Sequence, residues 1–218
     1  MESVLDLSLK DAAMFAVNRK LILQSIGWDV YEQILRQYEN SNGVHFAYDD
    51  GVLEVEVPLF EHERPTELLR DLITTICIEK EIDYINAGST TFRSRAKAKG
   101  VEPDTAFYIQ NENQIRGLKN IDLNQDPPPD LVIETDITSP SLNKMPIYAA
   151  LGVSEVWLFK GDKVSFYILY GGVYRETAHS LAIPFLDNQT ANDFLQKGMA
   201  ASSSKWIREI REWIEKND

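Results

Sequence analysis

The chain has 218 residues, enough for one well-buried domain and a tight fit for two. Hydrophobic residues make up 44% and charged residues 26%, with no apolar run of membrane-span length, which is the composition of an ordinary globular protein. The formal charge of −12 counts against strong non-specific binding to nucleic acid and leaves clustered cations, or carboxylates offset by metal ions, as the route to a polyanion.

Residues 20–24 read as a short strand, and Trp28, Tyr31, Ile34, Leu35 and Tyr38 recur at helical spacing over 28–39. Strands over 44–48 and 52–58 flank Asp49-Asp50-Gly51, a strong hairpin signal. Leu53, Val55 and Val57 then share one strand face and Glu54 and Glu56 the other. Pro65 opens a second helix running to Lys80, with Leu69, Leu72, Ile73 and Ile76 as its apolar stripe. Strands follow near 83–86, over 91–99 and over 104–109, then a polar loop over 110–129. Leu131-Val-Ile-Glu-Thr-Asp-Ile137 is the clearest strand, followed by a short helix over 144–150 that Gly152 stops. Further strands are expected over 153–159, 164–170 and 173–177, and a last helix over 203–216. No repeat or linker divides the chain, so the expected fold is one mixed α+β domain with antiparallel hairpins around a central sheet flanked by helices.

Met1-Glu2-Ser3-Val4-Leu5-Asp6 lacks the charged and apolar regions of a secretory signal, and the single cysteine, Cys77, has no internal disulfide partner. A cytoplasmic protein without a membrane association is expected. There is no phosphate-binding glycine loop, no zinc spacing of Cys and His, and no nucleophile elbow. His45, His62 and His179 are too scattered to suggest a catalytic pair.

The chemistry centres on Asp104, at the start of its strand, and Glu134, inside an apolar strand. An ionised carboxylate there is costly unless paired or bound to a cation. On neighbouring strands the two would share a divalent ion, and oxygen donors suit Mg²⁺ or Mn²⁺, which activates water and neutralises a phosphodiester. The plain alternative puts Glu134 on a solvent face and Asp104 in a turn. Asn143 reads as a helix N-cap, placing Lys144 and Pro146 in the first turn. A cation there opposes the helix dipole, which hints at a phosphate nearby, though an ordinary exposed lysine would also fit.

Several short stretches, in this order, resemble a known family. They are Gly27-Trp28-Asp29-Val30-Tyr31-Glu32, Tyr48-Asp49-Asp50-Gly51-Val52-Leu53-Glu54, Glu61-His62-Glu63, Gly88-Ser89-Thr90-Thr91-Phe92, Glu102-Pro103-Asp104, Asp126-Pro127-Pro128-Pro129-Asp130-Leu131 and Gly152-Val153-Ser154-Glu155-Val156-Trp157. Together they resemble the putative restriction endonuclease domain family of bacteria, a branch of the PD-(D/E)xK nucleases. The resemblance implies a restriction-endonuclease-like core over 28–195, with 1–27 as an extension packed on it and 196–218 as a C-terminal helix. It implies that Asp104 is the motif aspartate and Glu134 the motif glutamate. Asp136 stands where the motif lysine is expected, and Lys144 on the following helix matches the family's alternative placement.

Glu63 matches an extra acidic ligand, or simply favours a helix N-terminus. Asp130 competes with Asp104 for the metal but fits a loop-ending turn better. Asp136 shares the strand face of Glu134 and is an expected metal neighbour. Arg93, Arg95, Lys97 and Lys99 alternate along one expected strand and so share a face, either to track phosphates or to protect a sheet edge.

The expected function is Mg²⁺-dependent (or Mn²⁺-dependent) hydrolysis of phosphodiester bonds in DNA. Asp104, Glu134, Lys144 and Glu63 are the expected catalytic residues. Asp104, Glu134 and Asp136 are placed at the metal, with the Thr135 carbonyl completing its shell. The alternative is a decayed nuclease scaffold that binds nucleic acid or protein. A homodimer is weighed against intrachain packing for the C-terminal stripe Trp206, Ile207, Ile210, Trp213 and Ile214.

Overall fold

In the computed structural model, which describes residues 20–38, 43–57, 60–136 and 142–217, the expected hairpin forms from β2 (His45–Asp49) and β3 (Val52–Glu56). Asp50 and Gly51 turn it with φ of 42° and 93°, the left-handed geometry that matches strand twist. β1 (Lys20–Leu23) pairs with β3. β6 (Lys99–Val101) pairs with β2, and β5 (Phe92–Ser94) with β6, so the first sheet is antiparallel in the order β1-β3-β2-β6-β5. On one of its faces α1 (Trp28–Tyr38) buries Tyr31, Ile34 and Leu35 with Leu53 and Val55 of β3. Strand alternation therefore turns Glu54 and Glu56 to the other face.

The second sheet has the order β11-β10-β9-β8-β7-β4. Its members are β4 (Ile85–Asn86), β7 (Thr105–Tyr108), β8 (Leu131–Asp136), β9 (Glu155–Lys160), β10 (Lys163–Tyr170) and β11 (Val173–Thr177). Only β8 and β9 run parallel. Parallel neighbours need a crossover, and α4 (Met145–Leu151) lies within that connection, ending at Gly152 with φ 90°. A short α3 (Glu112–Ile115) interrupts the preceding loop.

α2 (Phe60–Glu79), α5 (Asn188–Ala200) and α6 (Ser203–Lys216) cover one face of this sheet. There Leu69, Ile73 and Ile76 meet Ile133, Trp157 and Phe166. Burial in this layer pushes the Cys77 thiol up to about 12, as befits an inert core residue. The other face packs Ile147, Tyr148 and Leu151 of α4 with Val132 and Val156, and with Ala47, Phe92 and Val101 of the first sheet.

The architecture is mixed α and β, with hairpins and flanking helices as expected, but the strands divide between two sheets. Three elements depart from expectation. The strand expected over 91–99 is broken: β5 stops at Ser94, a 3-10 turn spans Arg95–Lys97, and Ala98 adopts a left-handed φ of 48°. The chain then folds back on itself, with Arg93 opposite Gly100. α2 starts ahead of Pro65, which lies near enough to the helix start that its missing N–H costs only one early helix bond. α5 is absent from the expected elements. Its signal is Asp187, whose carboxylate caps Thr190 N at 2.7 Å, followed by Ala191, Phe194, Leu195 and Gly198 at helical spacing, all buried.

The C-terminal stripe has an intrachain home. Trp206, Ile210 and Ile214 are 1%, 0% and 4% exposed against α2 and α5, and Trp206 Nε1 donates to Phe194 O at 2.7 Å. Most of the apolar area that motivated a dimer through this helix is therefore covered within the chain, with Ile207 and Trp213 half-buried. No helix among the described residues is long and apolar enough to cross a membrane.

Gly100 marks a tight approach between α1 and the first sheet. A Cβ there would lie 2.2 Å from Tyr31 Oη and 2.8 Å from its Cζ. Tyr31 is fully buried and stacks on Tyr48, so it has little room to yield. Gly100→Ala should destabilise the protein by about 1–3 kcal/mol in chemical denaturation. Adding Tyr31→Phe should restore part of the loss, because the hydroxyl has no hydrogen-bond partner to forfeit. An unchanged denaturation midpoint for Gly100→Ala would contradict this packing.

Candidate active site

The chain passes from the first sheet to the second at Glu102-Pro103-Asp104, between β6 and β7. Thr105 pairs with Ile133 in antiparallel register, so the residues one step outward, Asp104 and Glu134, face each other across β7 and β8. Opposed residues of an antiparallel pair project to the same side. The Thr135 N–H donates to Asp104 Oδ2 at 2.7 Å and ties the two strands at this point.

α4 supplies the next groups. Lys144, rather than the expected Asn143, occupies the N-cap position, without a side-chain capping bond, and Tyr148 follows one turn later, a spacing that puts both on one helix face. Lys144 Nζ lies 2.9 Å from Glu134 Oε2, and the Tyr148 hydroxyl donates to Glu134 Oε1. The first sheet contributes from the opposite side. His45 Nδ1 is 3.7 Å from Asp104 Oδ1, too long for a hydrogen bond and close enough for electrostatic pairing. Glu56 pairs with Lys20 at 3.2 Å. Glu54, 1% exposed, accepts from Leu142 N at 2.6 Å and so anchors the backbone two residues before Lys144. Glu102 accepts from Phe46 N at 3.0 Å and from the Thr91 hydroxyl at 2.5 Å.

Charge sets the behaviour of these groups. Burial pushes the Glu134 carboxyl up to about 7; Lys144 and Tyr148 pull it down, while neighbouring Asp104 adds to the rise. Burial opposes the Lys144 ammonium, but Glu134, Asp104 and Glu56 outweigh it and raise its pKa, so Lys144 stays charged. Burial also works against the Asp104 anion, yet His45, Lys144 and the Thr135 N–H hold its carboxyl below the usual range. Burial pulls His45 down, and Asp104 more than reverses this, leaving its pKa raised.

The structure brings Asp104, Glu134 and Lys144 to one place, Asp104 opposite Glu134 across β7 and β8 and Lys144 beside Glu134. Glu63 is exposed on the first part of α2. Three residues later, Thr66 shares a 2.8 Å hydrogen bond with the Thr135 hydroxyl, so this end of α2 borders the site while the Glu63 side chain lies at the surface. Asp136 ends β8, and its side chain, like that of His62, lies outside the described residues. Asp130 is a loop tie: it accepts from Ile109 N, Asn111 N and Asn111 Nδ2 at 2.7, 3.0 and 2.6 Å.

The basic stripe does not share one face, because the 3-10 turn breaks its alternation. Arg93 and Arg95 reach toward Glu32 and Asp29 of α1. Lys97 Nζ donates to Ala150 O at 2.6 Å, and Lys99 pairs with Asp49. The four-residue spacing of Lys144 and Tyr148 was legible in the sequence, though not the contact of Tyr148 with Glu134. Sequence reasoning missed His45, Glu102 and the Lys20–Glu56 pair as neighbours of the site, because they join it only through the meeting of two sheets.

Asp104 and Glu134 fit a hard divalent cation by donor chemistry. Glu54, Glu56, Glu102, Asp104 and Glu134 lie around Lys20, His45 and Lys144, and burial raises the Glu54, Glu102 and Glu134 carboxyls, so a bound cation would favour their ionised forms. Among the described residues no group of three or more His, Cys, Asp and Glu side chains could hold a metal by itself.

Comparison with known proteins gives a family-model match over residues 28–202 to Uma2, described as "Putative restriction endonuclease". Among solved structures, a chain described as a putative nuclease belonging to DUF820 from Anabaena variabilis ATCC 29413 is 15% identical, with a TM-score of 0.48 over 69% of this chain and 90% of that one. A search of curated proteins finds no match.

Proposed function

The chain belongs to the family described as Putative restriction endonuclease, and from that premise we propose that it is a metal-dependent nuclease hydrolysing phosphodiester bonds in DNA at Asp104 and Glu134. The observation that carries this reading is the convergence of Asp104, Glu134 and Lys144 from two strands and a helix cap. Lys144 on α4 also supplies the ammonium that Asp136 denies to the motif position, which favours a working site over a decayed scaffold.

Asp104 and Glu134 would hold Mg²⁺ or Mn²⁺, which when bound polarises the phosphodiester and lowers the pKa of water. Lys144, kept charged by its carboxylate neighbours, stabilises the negative charge that builds on the phosphate. Tyr148 fixes the orientation of Glu134, and Glu54 fixes the chain leading into Lys144. Glu63 stands beside the site as an acidic residue of the entry to α2.

At least one of supercoiled plasmid and single-stranded circular DNA should be nicked or linearised by purified protein in Mg²⁺ or Mn²⁺, and both should be left intact in EDTA. No cleavage with either ion, or equal cleavage in EDTA, would remove the reading. Lys144→Arg should lower the cleavage rate by about 10–100-fold, because a planar guanidinium cannot take the place of a compact ammonium beside Glu134. Cleavage by that variant at the wild-type rate would make Lys144 a bystander.

A further inference from the structure

A cleft of about 1440 Å³ opens beside the site, larger than the roughly 300–1,000 Å³ of typical small-molecule pockets. His45 and Glu102 are among its lining residues, and it meets the site through His45, 3.7 Å from Asp104, while Asp104, Glu134 and Lys144 are not themselves in the lining. Trp28 and Arg36 of α1 line it further out, facing Arg93 and Arg95 at β5 and the 3-10 turn. We propose that this cleft is a groove for single-stranded nucleic acid that delivers the scissile phosphate to Asp104 and Glu134. The proposal rests on the nuclease reading and adds the substrate class to it.

Access argues for a single strand. The Asp104 and Glu134 side chains are 15% and 8% exposed, recessed behind His45 and α4. A duplex is stiff on this length scale and holds its phosphates on the outside of a broad cylinder. A single strand bends freely and can thread a phosphate inward. The walls carry what single strands bind, cations spaced along a groove together with an aromatic ring for stacking. Arg36, Arg93 and Arg95 have side chains 65%, 47% and 62% exposed. Their partners Glu32 and Asp29 hold them only in surface ion pairs, which are weak enough to exchange for phosphates. Trp28 sits half-buried in the same wall, edge-on to Tyr31 and Tyr48, so only the part of its ring left open to the cleft is offered to a base. The acidic partners also temper affinity, in keeping with a chain of net charge −12 that reads a substrate only where its cations cluster.

Fluorescence anisotropy tests this with the full chain in EDTA, using one labelled oligonucleotide of mixed sequence, alone or annealed to its complement. The single strand should bind at least about tenfold tighter than the duplex. The slope of log affinity against log salt should fall by about 1.4 in the Arg93→Ala/Arg95→Ala variant, at about 0.7 for each phosphate of a single strand that is no longer neutralised. Trp28→Leu should weaken binding further. Equal or tighter binding of the duplex, no binding of either form, or an unchanged slope in the double variant would overturn the proposal. Binding with the expected pattern but no cleavage in Mg²⁺ or Mn²⁺ would leave the groove standing and remove the nuclease reading alone.

Discussion

Asp104→Asn should reduce the rate of phosphodiester cleavage by about 10²–10³-fold, a loss of the size seen when a principal electrostatic group leaves an active site. The substitution is nearly isosteric, and the amide oxygen can still accept from the Thr135 N–H that ties β7 to β8. What disappears is the negative charge beside Glu134, and with it half of the carboxylate pair proposed to hold the cation. The loss should fall on the maximal rate more than on substrate affinity, since Asp104 lies behind the cleft walls that would hold the strand. The stability of the variant has a pH signature. His45, Lys144 and the Thr135 N–H hold the Asp104 carboxyl below its usual range, so its ionised form adds stability above that range and loses it as pH falls through the lowered value. The variant should therefore be less stable than wild type at neutral pH, and the two should converge in acid. Retention of more than a tenth of the wild-type rate would count against Asp104 as a metal ligand.

The second large effect is structural. Glu155, the first residue of β9, is 0% exposed. Its Oε1 accepts from Trp157 Nε1 at 2.8 Å, and its Oε2 from Ser180 Oγ, Leu181 N and Ala182 N at 3.1, 3.0 and 2.7 Å. The carboxylate thus pins the turn leading to α5 against the second sheet. Glu155→Ala would strand those donors inside the core, and each buried unsatisfied group costs about 1–3 kcal/mol before relaxation. A net loss of about 3–5 kcal/mol is expected, lowering Tm by about 10 °C for a chain of this size. Burial raises the Glu155 carboxyl despite these bonds, so the folded state favours its protonated form. Its contribution is greatest below the usual carboxylate range and declines as pH rises through the raised value. Glu155→Gln keeps an acceptor and removes the charge, so it should retain more stability than Glu155→Ala. A Tm for Glu155→Ala within about 2 °C of wild type would show that the turn finds other partners.

Much of this was legible in local pattern. Asp49-Asp50-Gly51 specified its hairpin, and the alternation around Glu54 and Glu56 placed both on the face away from α1. The run Leu131–Asp136 declared a buried strand, and Glu134 within it declared a charge needing a partner. Long-range arrangement was not legible. Nothing local in Arg93–Lys99 announces that Ala98 will take a left-handed conformation and turn one strand into two. That single reversal redirected Lys97 and Lys99 to Ala150 and Asp49 and left Arg93 and Arg95 in the cleft. The split into two sheets was equally hidden. It decides that His45, Lys20 and Glu56, from the start of the chain, meet Asp104 and Lys144 from its middle. Glu155 read only as part of a family-like stretch, because three of its four donors lie more than twenty residues away.

Cleavage alone could come from a trace contaminant, whereas metal binding at named carboxylates belongs to this chain. The most direct measurement is therefore calorimetric titration of Mn²⁺ into metal-free protein, run in parallel on wild type, Asp104→Asn and Glu134→Gln. At least one Mn²⁺ should bind per wild-type chain, with affinity reduced at least about tenfold in both variants. A wild-type protein that takes up no Mn²⁺, or variants that bind it as tightly as wild type, would contradict a metal centre at Asp104 and Glu134.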